Sequence, residues 1–189
     1  MSHVTLILAS ASPRRKELLA RLTPDFIVVP SYAEEPKEGD AAERALGAAR
    51  AKAHDIASRR RGVVIGADTV VVVQGEVLGK PSSRSEARKM LARLSGREHQ
   101  VITGLCVVST WTGEERVDVV ETSVEFRELT ADEIERYVES GEPDDKAGAY
   151  AIQGRGGLFV DRVCGDVYNV IGLPLSRLCV LLREVGVRV

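Results

Sequence analysis

Two adjacent arginines, Arg14 and Arg15, stand where a helix is predicted to begin. They end the hexapeptide Ser10-Ala11-Ser12-Pro13-Arg14-Arg15, which separates a short apolar run from a helical pattern. The N–H groups of a helix start attract anions, and the forked donors of arginine match phosphate oxygens. Two interpretations fit this hexapeptide: an anion-binding site, or a capped surface helix with solvated arginines.

Asp68 is a single carboxylate among Val, Ile, Gly and Ala residues. Burying a carboxylate is costly unless it is paired, hydrogen-bonded or bound to a metal ion. Asp68 is therefore a candidate functional group, with a turn-capping aspartate as the alternative.

Further charged residues come from separate segments, namely Glu35, Lys52 and Lys80. Cations together with a divalent ion held by carboxylates are what phosphoryl chemistry requires. Lys80 follows Gly79, but the spacing is too short for a Walker loop and Pro81 occupies its Ser/Thr position. The segment Gly154-Arg155-Gly156-Gly157 favours a tight turn over a dinucleotide site.

The elements that must position these residues form a mixed α/β pattern. Ser12 suits the N-cap of the first helix and Pro13 its first position, Gln74-Gly75 suits a hairpin turn, and Thr130 with Glu133 has capping-box spacing. The apolar patterns predict strands at 4–9, 26–29, 63–66, 70–73, 77–78, 100–109, 116–127, 158–160 and 167–170, and helices from 13, at 41–61, at 86–94, at 131–141 and from 174. Asp68 is predicted to interrupt a buried strand or to end it.

Bulk composition is that of a globular chain of 189 residues, with 44% hydrophobic and 29% charged residues. With 26 Lys+Arg against 28 Asp+Glu, any anion site must be made locally. No apolar run reaches the ~18 residues that would span a bilayer, so a cytoplasmic location is expected. The three cysteines, at 106, 164 and 179, are expected to be buried, reduced thiols.

Five ordered motifs of the chain resemble those of Maf proteins. They are Ser10–Arg15, Gly66-Ala67-Asp68-Thr69, Gly79-Lys80-Pro81, Asp145–Gly154 and Val170-Ile171-Gly172-Leu173-Pro174. The resemblance implies one domain over residues 1–189, with a mixed twisted sheet flanked by helices and two lobes around a central cleft, similar to inosine triphosphate pyrophosphatases. It also implies hydrolysis of a nucleoside triphosphate to the monophosphate and pyrophosphate, a nucleotide-pool house-cleaning role that depends on Mg²⁺ or Mn²⁺.

The same resemblance implies roles for individual residues. Asp68 matches the catalytic proton acceptor, and Glu35 and Asp68 match a metal-binding pair, with Glu34 and Glu38 as competitors for Glu35. The implied phosphate-binding set is Ser10, Arg14, Arg15, Lys52 and Lys80.

Base selection is assigned by resemblance to Arg14, Thr69 and Gln153. The amide of Gln153 offers a donor and an acceptor, which match the N3–H and O4 of uracil and thymine. Cytosine has the opposite pattern and could be accommodated by an amide flip, so backbone groups must complete the discrimination. Asp145–Gln153 resembles the dTTP/UTP branch of the family rather than the 7-methyl-GTP branch. A glutamine in a surface turn is the alternative.

Two functions other than hydrolysis are alternatives for this sequence. One is a non-catalytic, nucleotide-binding regulator of cell division and septum formation, since Maf proteins are also linked to that process. The other is nucleic-acid binding through Arg14-Arg15-Lys16 and Arg59-Arg60-Arg61, which the 4% aromatic content disfavours. A homodimer is expected by resemblance, and no membrane partner is expected.

Overall fold

The computed structural model describes residues 5–36 and 38–189 and contains one seven-stranded mixed sheet. The strand order is β2-β1-β3-β5-β6-β7, with β4 paired to β3. The strands are β1 (Leu6–Leu8), β2 (Phe26–Val28), β3 (Val63–Val73), β4 (Glu76–Leu78), β5 (Glu98–Ser109), β6 (Glu115–Phe126) and β7 (Val160–Cys164). The predicted mixed α/β class is confirmed; Val4, the predicted start of the first strand, lies outside the described residues.

Six α-helices accompany the sheet in the described chain. They are α1 (Pro13–Leu19), α2 (Ala41–Ala57), α3 (Arg84–Leu94), α4 (Ala131–Glu139), α5 (Val167–Ile171) and α6 (Leu175–Glu184), with short 3₁₀ turns at Glu142–Asp145, Ala147–Ala149 and Arg155–Phe159. None of the helices in this described part is long and apolar enough to cross a membrane.

Strand β1 is parallel to both of its neighbours, β2 and β3. Leu8 lies beside Val28 on one side and Ile65 on the other. The carboxyl ends of the three strands therefore point to the same edge of the sheet, where ligands bind in open parallel sheets.

Helix α2 packs unusually close to the sheet because glycines face it. A Cβ on Gly66 of β3 would lie 2.1 Å from the carbonyl oxygen of Ala49, and one on Gly104 of β5 would lie 2.4 Å from that of Ala45. Neither position has room for a larger residue. Because these glycines have no side chain, the backbone of α2 can pack directly against β3 and β5.

Four predictions about the elements are wrong. Residues 158 and 159 of the strand predicted at 158–160 belong to the 3₁₀ turn Arg155–Phe159, and β7 begins at Val160. Strand β3 continues without a break through Asp68. An aspartate is tolerated within this strand because Lys52 neutralises its charge. Helix α2 ends at Ala57, and residues 59–62 connect it to β3. Residues 167–171 are helical rather than extended, and the side chain of Asp166 accepts a hydrogen bond from the N–H of Tyr168 at 2.8 Å.

The chain divides into two compact units. The first unit contains the chain up to Asp68, Thr103–Val120 and Gly172–Val189, and the second contains Thr69–Ile102 and Glu121–Ile171. Apolar residues of α2, β1, β3 and β5 form a core in the first unit. An aromatic cluster lies in the core of the second, made by Phe126, Tyr137, Tyr150 and Phe159.

Candidate active site

Four of the predicted site residues lie together in the first unit, at the edge of the sheet formed by the carboxyl ends of β1, β2 and β3. They are Arg15, Glu35, Lys52 and Asp68. Strand β1 leads into Ser10–Arg15, β2 leads into the loop with Glu35, and β3 continues past its parallel register to Asp68. Lys52 comes from α2. Parallel strand order thus gathers residues that are distant in the sequence.

The ammonium group of Lys52 binds two carboxylates at once. Its Nζ lies 2.6 Å from Asp68 Oδ1 and 2.7 Å from Glu35 Oε1. The side chains of Lys52 and Asp68 are only 14% and 17% exposed, whereas that of Glu35 is 55% exposed. A single positive charge therefore offsets two negative ones in a partly shielded environment.

Close packing of α2 determines where Lys52 lies. Gly66 is two residues before Asp68 and admits the turn of α2 that contains Ala49 and Ala53, which surround Lys52 in the sequence. A larger residue at Gly66 would push that turn away from β3. The ion pair of Lys52 with Asp68 therefore depends on this glycine.

The loop that carries Glu35 is attached to the same helix. Pro36 lies against Gly47, where an added Cβ would come within 2.7 Å of its ring. Earlier in the loop, Ser31 Oγ donates to Asp55 Oδ2 at 2.6 Å, and this hydrogen bond is the main cause that lowers the pKa of Asp55. These contacts were not anticipated from the sequence, although a glycine inside a predicted helix was a signal of close approach.

Arg15 adds a second positive charge to this group. Its Nε donates to the carbonyl oxygen of Gly172 at 2.8 Å, which orients the guanidinium. Burial lowers the pKa of Arg15 from its ordinary value, while attraction to Asp68 and Glu35 opposes that shift and Arg14 adds to it. Arg15 thus interacts electrostatically with both carboxylates.

The start of α1 confirms the predicted cap. Ser12 is the N-cap and its Oγ accepts from the N–H of Arg15, while Ser10 Oγ accepts from the N–H of Ser12 at 3.1 Å. Ser10 is buried and Arg14 is half-buried. With only seven residues in α1, the arginine charges outweigh the helix dipole as the source of attraction for an anion.

Asp68 and Glu35 offer oxygen donors that suit a hard divalent cation. Mg²⁺ in proteins is commonly held by one or two carboxylates together with substrate phosphates. Glu35, rather than its acidic neighbours Glu34 and Glu38, is the glutamate that the structure pairs with Lys52 beside Asp68. This donor set fits an ion of the Mg²⁺ or Mn²⁺ type.

Thr69, Lys80 and Gln153 belong to the second unit. Thr69 follows Asp68 in β3, Lys80 is exposed after β4, and Gln153 lies in an exposed turn. The N–H of Gly148 donates to the carbonyl of Gly79 at 3.0 Å, so the motif around Lys80 contacts the Asp145–Gly154 motif.

The turn that carries Gln153 is held by two residues that the sequence did not reveal as important. Glu142 accepts hydrogen bonds from the N–H groups of Arg155 and Gly156, both at 3.1 Å. It also accepts from the hydroxyl of Tyr137, which in turn accepts from the N–H of Ala151. A buried ring and a carboxylate thus fix the backbone on both sides of Gln153.

A family model described as Maf-like protein matches residues 5–185 of this chain. The chain belongs to the Maf family. Maf relatives include the "dTTP/UTP pyrophosphatase" of Thermococcus gammatolerans, which is 53% identical over 97% of this chain and 98% of its own length. The protein of the same name from Moorella thermoacetica is 52% identical over 97% of this chain and 96% of its own.

Solved structures of similar fold are the Ham1 protein of Staphylococcus aureus and a HAM1 protein of Coxiella burnetii. Their TM-scores are 0.57 and 0.54, at 18% and 16% identity, and each match covers 96% of this chain and 100% of the other. At this level of identity the likeness concerns the fold alone. It agrees with the fold class predicted for this Maf protein, that of the inosine triphosphate pyrophosphatases.

Proposed function

We propose that this protein is a nucleoside triphosphate pyrophosphatase that converts dTTP and UTP to the monophosphate and pyrophosphate. We propose also that residues 1–189 form one domain with this activity. The names of relatives about half identical over nearly their whole length support this choice of substrate. The observation that carries the proposal is the bridge of Lys52 between Asp68 and Glu35, with Arg15 close enough to interact with both carboxylates.

Asp68 is the proposed catalytic base. Its carboxylate orients a water molecule and accepts a proton as the water oxygen bonds to the α-phosphorus. The bond from the α-phosphorus to the bridging oxygen breaks, and pyrophosphate departs with the electron pair. The low exposure of Asp68 keeps competing solvent away from this carboxylate.

Asp68 and Glu35 are the proposed holders of Mg²⁺ or Mn²⁺. A divalent ion bound there with substrate phosphate oxygens supplies charge neutralisation for phosphoryl transfer. Lys52 lies between the two carboxylates and is also a proposed partner of the substrate phosphates.

The remaining phosphate contacts are assigned to Ser10, Arg14, Arg15 and Lys80. A nucleoside triphosphate carries about four negative charges, so several fixed cations lower the free energy of the bound state and of the departing pyrophosphate. The guanidinium of Arg15 is already oriented, because its Nε donates to the carbonyl oxygen of Gly172.

Gln153, Thr69 and Arg14 are the proposed determinants of base choice. The fixed backbone around Gln153 limits the positions of its amide, which favours a base presenting a donor beside an acceptor. Replacing Gln153 with Ala should reduce the preference for dTTP and UTP over other triphosphates, measured as ratios of kcat/KM.

The direct test is a panel of nucleoside triphosphates with Mg²⁺ or Mn²⁺, in which pyrophosphate and orthophosphate are measured separately. Pyrophosphate and a monophosphate are expected, with dTTP and UTP turned over fastest. Orthophosphate alone would mean cleavage at the γ-phosphorus and would contradict the proposal.

The matched variant test uses two aspartates of the first unit. Asp68→Asn should lower kcat by about 10² to 10⁴-fold, the usual contribution of a general base, without loss of the fold. The exposed Asp25→Asn is the control and should retain wild-type activity. Wild-type turnover by a folded Asp68→Asn variant would remove Asp68 from the mechanism.

A further inference from the structure

A second group of ionisable side chains lies in the first unit, apart from the contacts of Lys52. It consists of His54 on α2, Cys106 on β5 and Glu115 at the start of β6. One ligand atom of each lies within 4.8 Å of the others. Among the described residues, this is the group of three His, Cys, Asp or Glu side chains with metal-binding spacing.

We propose that His54, Cys106 and Glu115 form a binding site for a divalent transition-metal ion of the zinc class. One sulfur, one imidazole nitrogen and one carboxylate oxygen are ligands that zinc accepts, with metal–ligand distances of about 2.0 to 2.3 Å. In tetrahedral geometry such ligands lie about 3.3 to 3.6 Å apart, so small side-chain adjustments suffice.

The burial of the three ligands is graded from core to surface. Cys106 is fully buried in the core cluster, Glu115 is 22% exposed and His54 is 54% exposed. An ion would therefore enter from the side of His54 and rest above the thiol. The outer position remains open to water, as in zinc sites with three protein ligands.

The polar contacts of Glu115 are already arranged for such a site. One carboxylate oxygen, Oε2, contacts His54 Nε2, while the other, Oε1, pairs with Arg50 at 2.7 Å. An ion can replace the first contact and leave the second intact. Arg50 would then be an outer partner that orients the ligating carboxylate, a common feature of metal sites.

The charges of the ligands also suit a divalent cation. When the ion binds, the Cys106 thiol releases its proton to solvent, so the thiolate and the Glu115 carboxylate bring two negative charges, while Arg50 keeps one positive charge beside Glu115. The sulfur ligand separates this site from Asp68 and Glu35, whose oxygen donors suit harder ions.

Titration of the reduced full-length protein with Co²⁺ tests the proposal, because cobalt replaces zinc in such sites and reports its ligands by absorption. One equivalent should produce a near-ultraviolet thiolate-to-cobalt band and visible bands of tetrahedral intensity. Competing Zn²⁺ should abolish both. The absence of a thiolate band at saturating Co²⁺ would overturn the proposal.

Variants assign the band to this site. Cys106→Ser should eliminate it, and His54→Ala and Glu115→Gln should weaken Co²⁺ binding by at least about tenfold, a loss that even outer partners of a ligand can cause. The matched controls Cys164→Ser and Glu114→Gln should bind as the wild type does. Two of these test variants change only partly exposed side chains, so the result does not depend on Cys106→Ser folding.

A comparison with Asp68→Asn separates the two sites. This variant should keep the thiolate band, since Asp68 does not belong to the group. Loss of the band in Asp68→Asn, or its persistence in Cys106→Ser, would refute the assignment.

Discussion

Replacing Lys52 with Met should have opposite effects on metal binding and on catalysis. Lys52 places its ammonium between Asp68 and Glu35, where a divalent ion would be held. Without the lysine, an ion no longer competes with a fixed positive charge and also relieves the repulsion between two carboxylates. Affinity for Mn²⁺ without nucleotide should rise, while kcat should fall because the phosphates lose a cation.

The size of the effect follows from the geometry. Both carboxylate oxygens lie within 2.7 Å of one nitrogen, so they are at most about 5.4 Å apart, where two unit charges repel by about 3 kcal/mol at an effective dielectric constant of about 20. Glu35 is 55% exposed, and solvent screening reduces this to about 1 to 2 kcal/mol. That energy corresponds to about a tenfold increase in Mn²⁺ affinity.

Isothermal titration with Mn²⁺, in the absence of nucleotide, measures the affinity, and steady-state kinetics measure kcat. Lys16→Met removes an exposed lysine of α1 and is the control, with both quantities unchanged. Unchanged or weaker Mn²⁺ binding by a folded Lys52→Met protein would show that Asp68 and Glu35 do not hold the ion.

Three further predictions concern packing, pH and thiol reactivity. Gly66→Ala should lower the free energy of unfolding by about 3 kcal/mol, since its Cβ would overlap a carbonyl of α2. Gly79→Ala is the control and should change the free energy little, because its Cβ meets open space. Equal urea midpoints for the two variants would contradict the packing argument. Burial lowers the pKa of His99 to about 4, below the ordinary 6.5, so the stability due to its neutral form is complete above pH 6.5 and is lost as the pH falls from 6.5 through 4. Between pH 7.5 and 4.5 the wild type should therefore lose about 2 to 3 kcal/mol more unfolding free energy than His99→Gln. Parallel pH profiles of the two proteins in urea denaturation would refute this. Of the three cysteines expected to be buried, Cys106 is buried but Cys164 is exposed. Burial raises the pKa of Cys106 to about 12, so iodoacetamide at pH 8 should label Cys164 at least about tenfold faster, as followed by mass spectrometry; equal labelling rates would contradict this.

Elements governed by local signals were predictable from the sequence. Ser12-Pro13 starts α1, the Thr130 and Glu133 capping box starts α4, and Gln74-Gly75 makes the hairpin between β3 and β4 with positive φ at both residues. Each signal depends on a few neighbouring residues.

Elements governed by distant contacts were not predictable. Residues 167–171 have β-branched side chains typical of a strand, yet Asn169 is buried and donates to the Val101 carbonyl at 2.9 Å and to Thr122 Oγ1 at 3.0 Å. These tertiary hydrogen bonds favour the helix over local propensity. The hydrogen bond from the N–H of Tyr168 to the Asp166 side chain is a local signal for this helix.

The geometry of the candidate site was not predictable from the sequence. The motifs contain Arg15 and Asp68, and the family resemblance added Glu35 and Lys52. Nothing in the spacing of these four residues showed that Lys52 would bridge both carboxylates. That contact arises from the close approach of α2 at Gly66, which requires knowing which helix faces which strand.

The discontinuous first unit has a consequence for protein synthesis. Asp68 leaves the ribosome well before Gly172, whose carbonyl oxygen accepts a hydrogen bond from Arg15. About 100 residues separate the two positions, and at about 5 to 20 residues per second their synthesis takes roughly 5 to 20 seconds. During this interval a nascent chain has the carboxylates but lacks the acceptor that orients the guanidinium. Under the role proposed for Arg15, catalytic competence is acquired only after the chain has been made as far as Gly172.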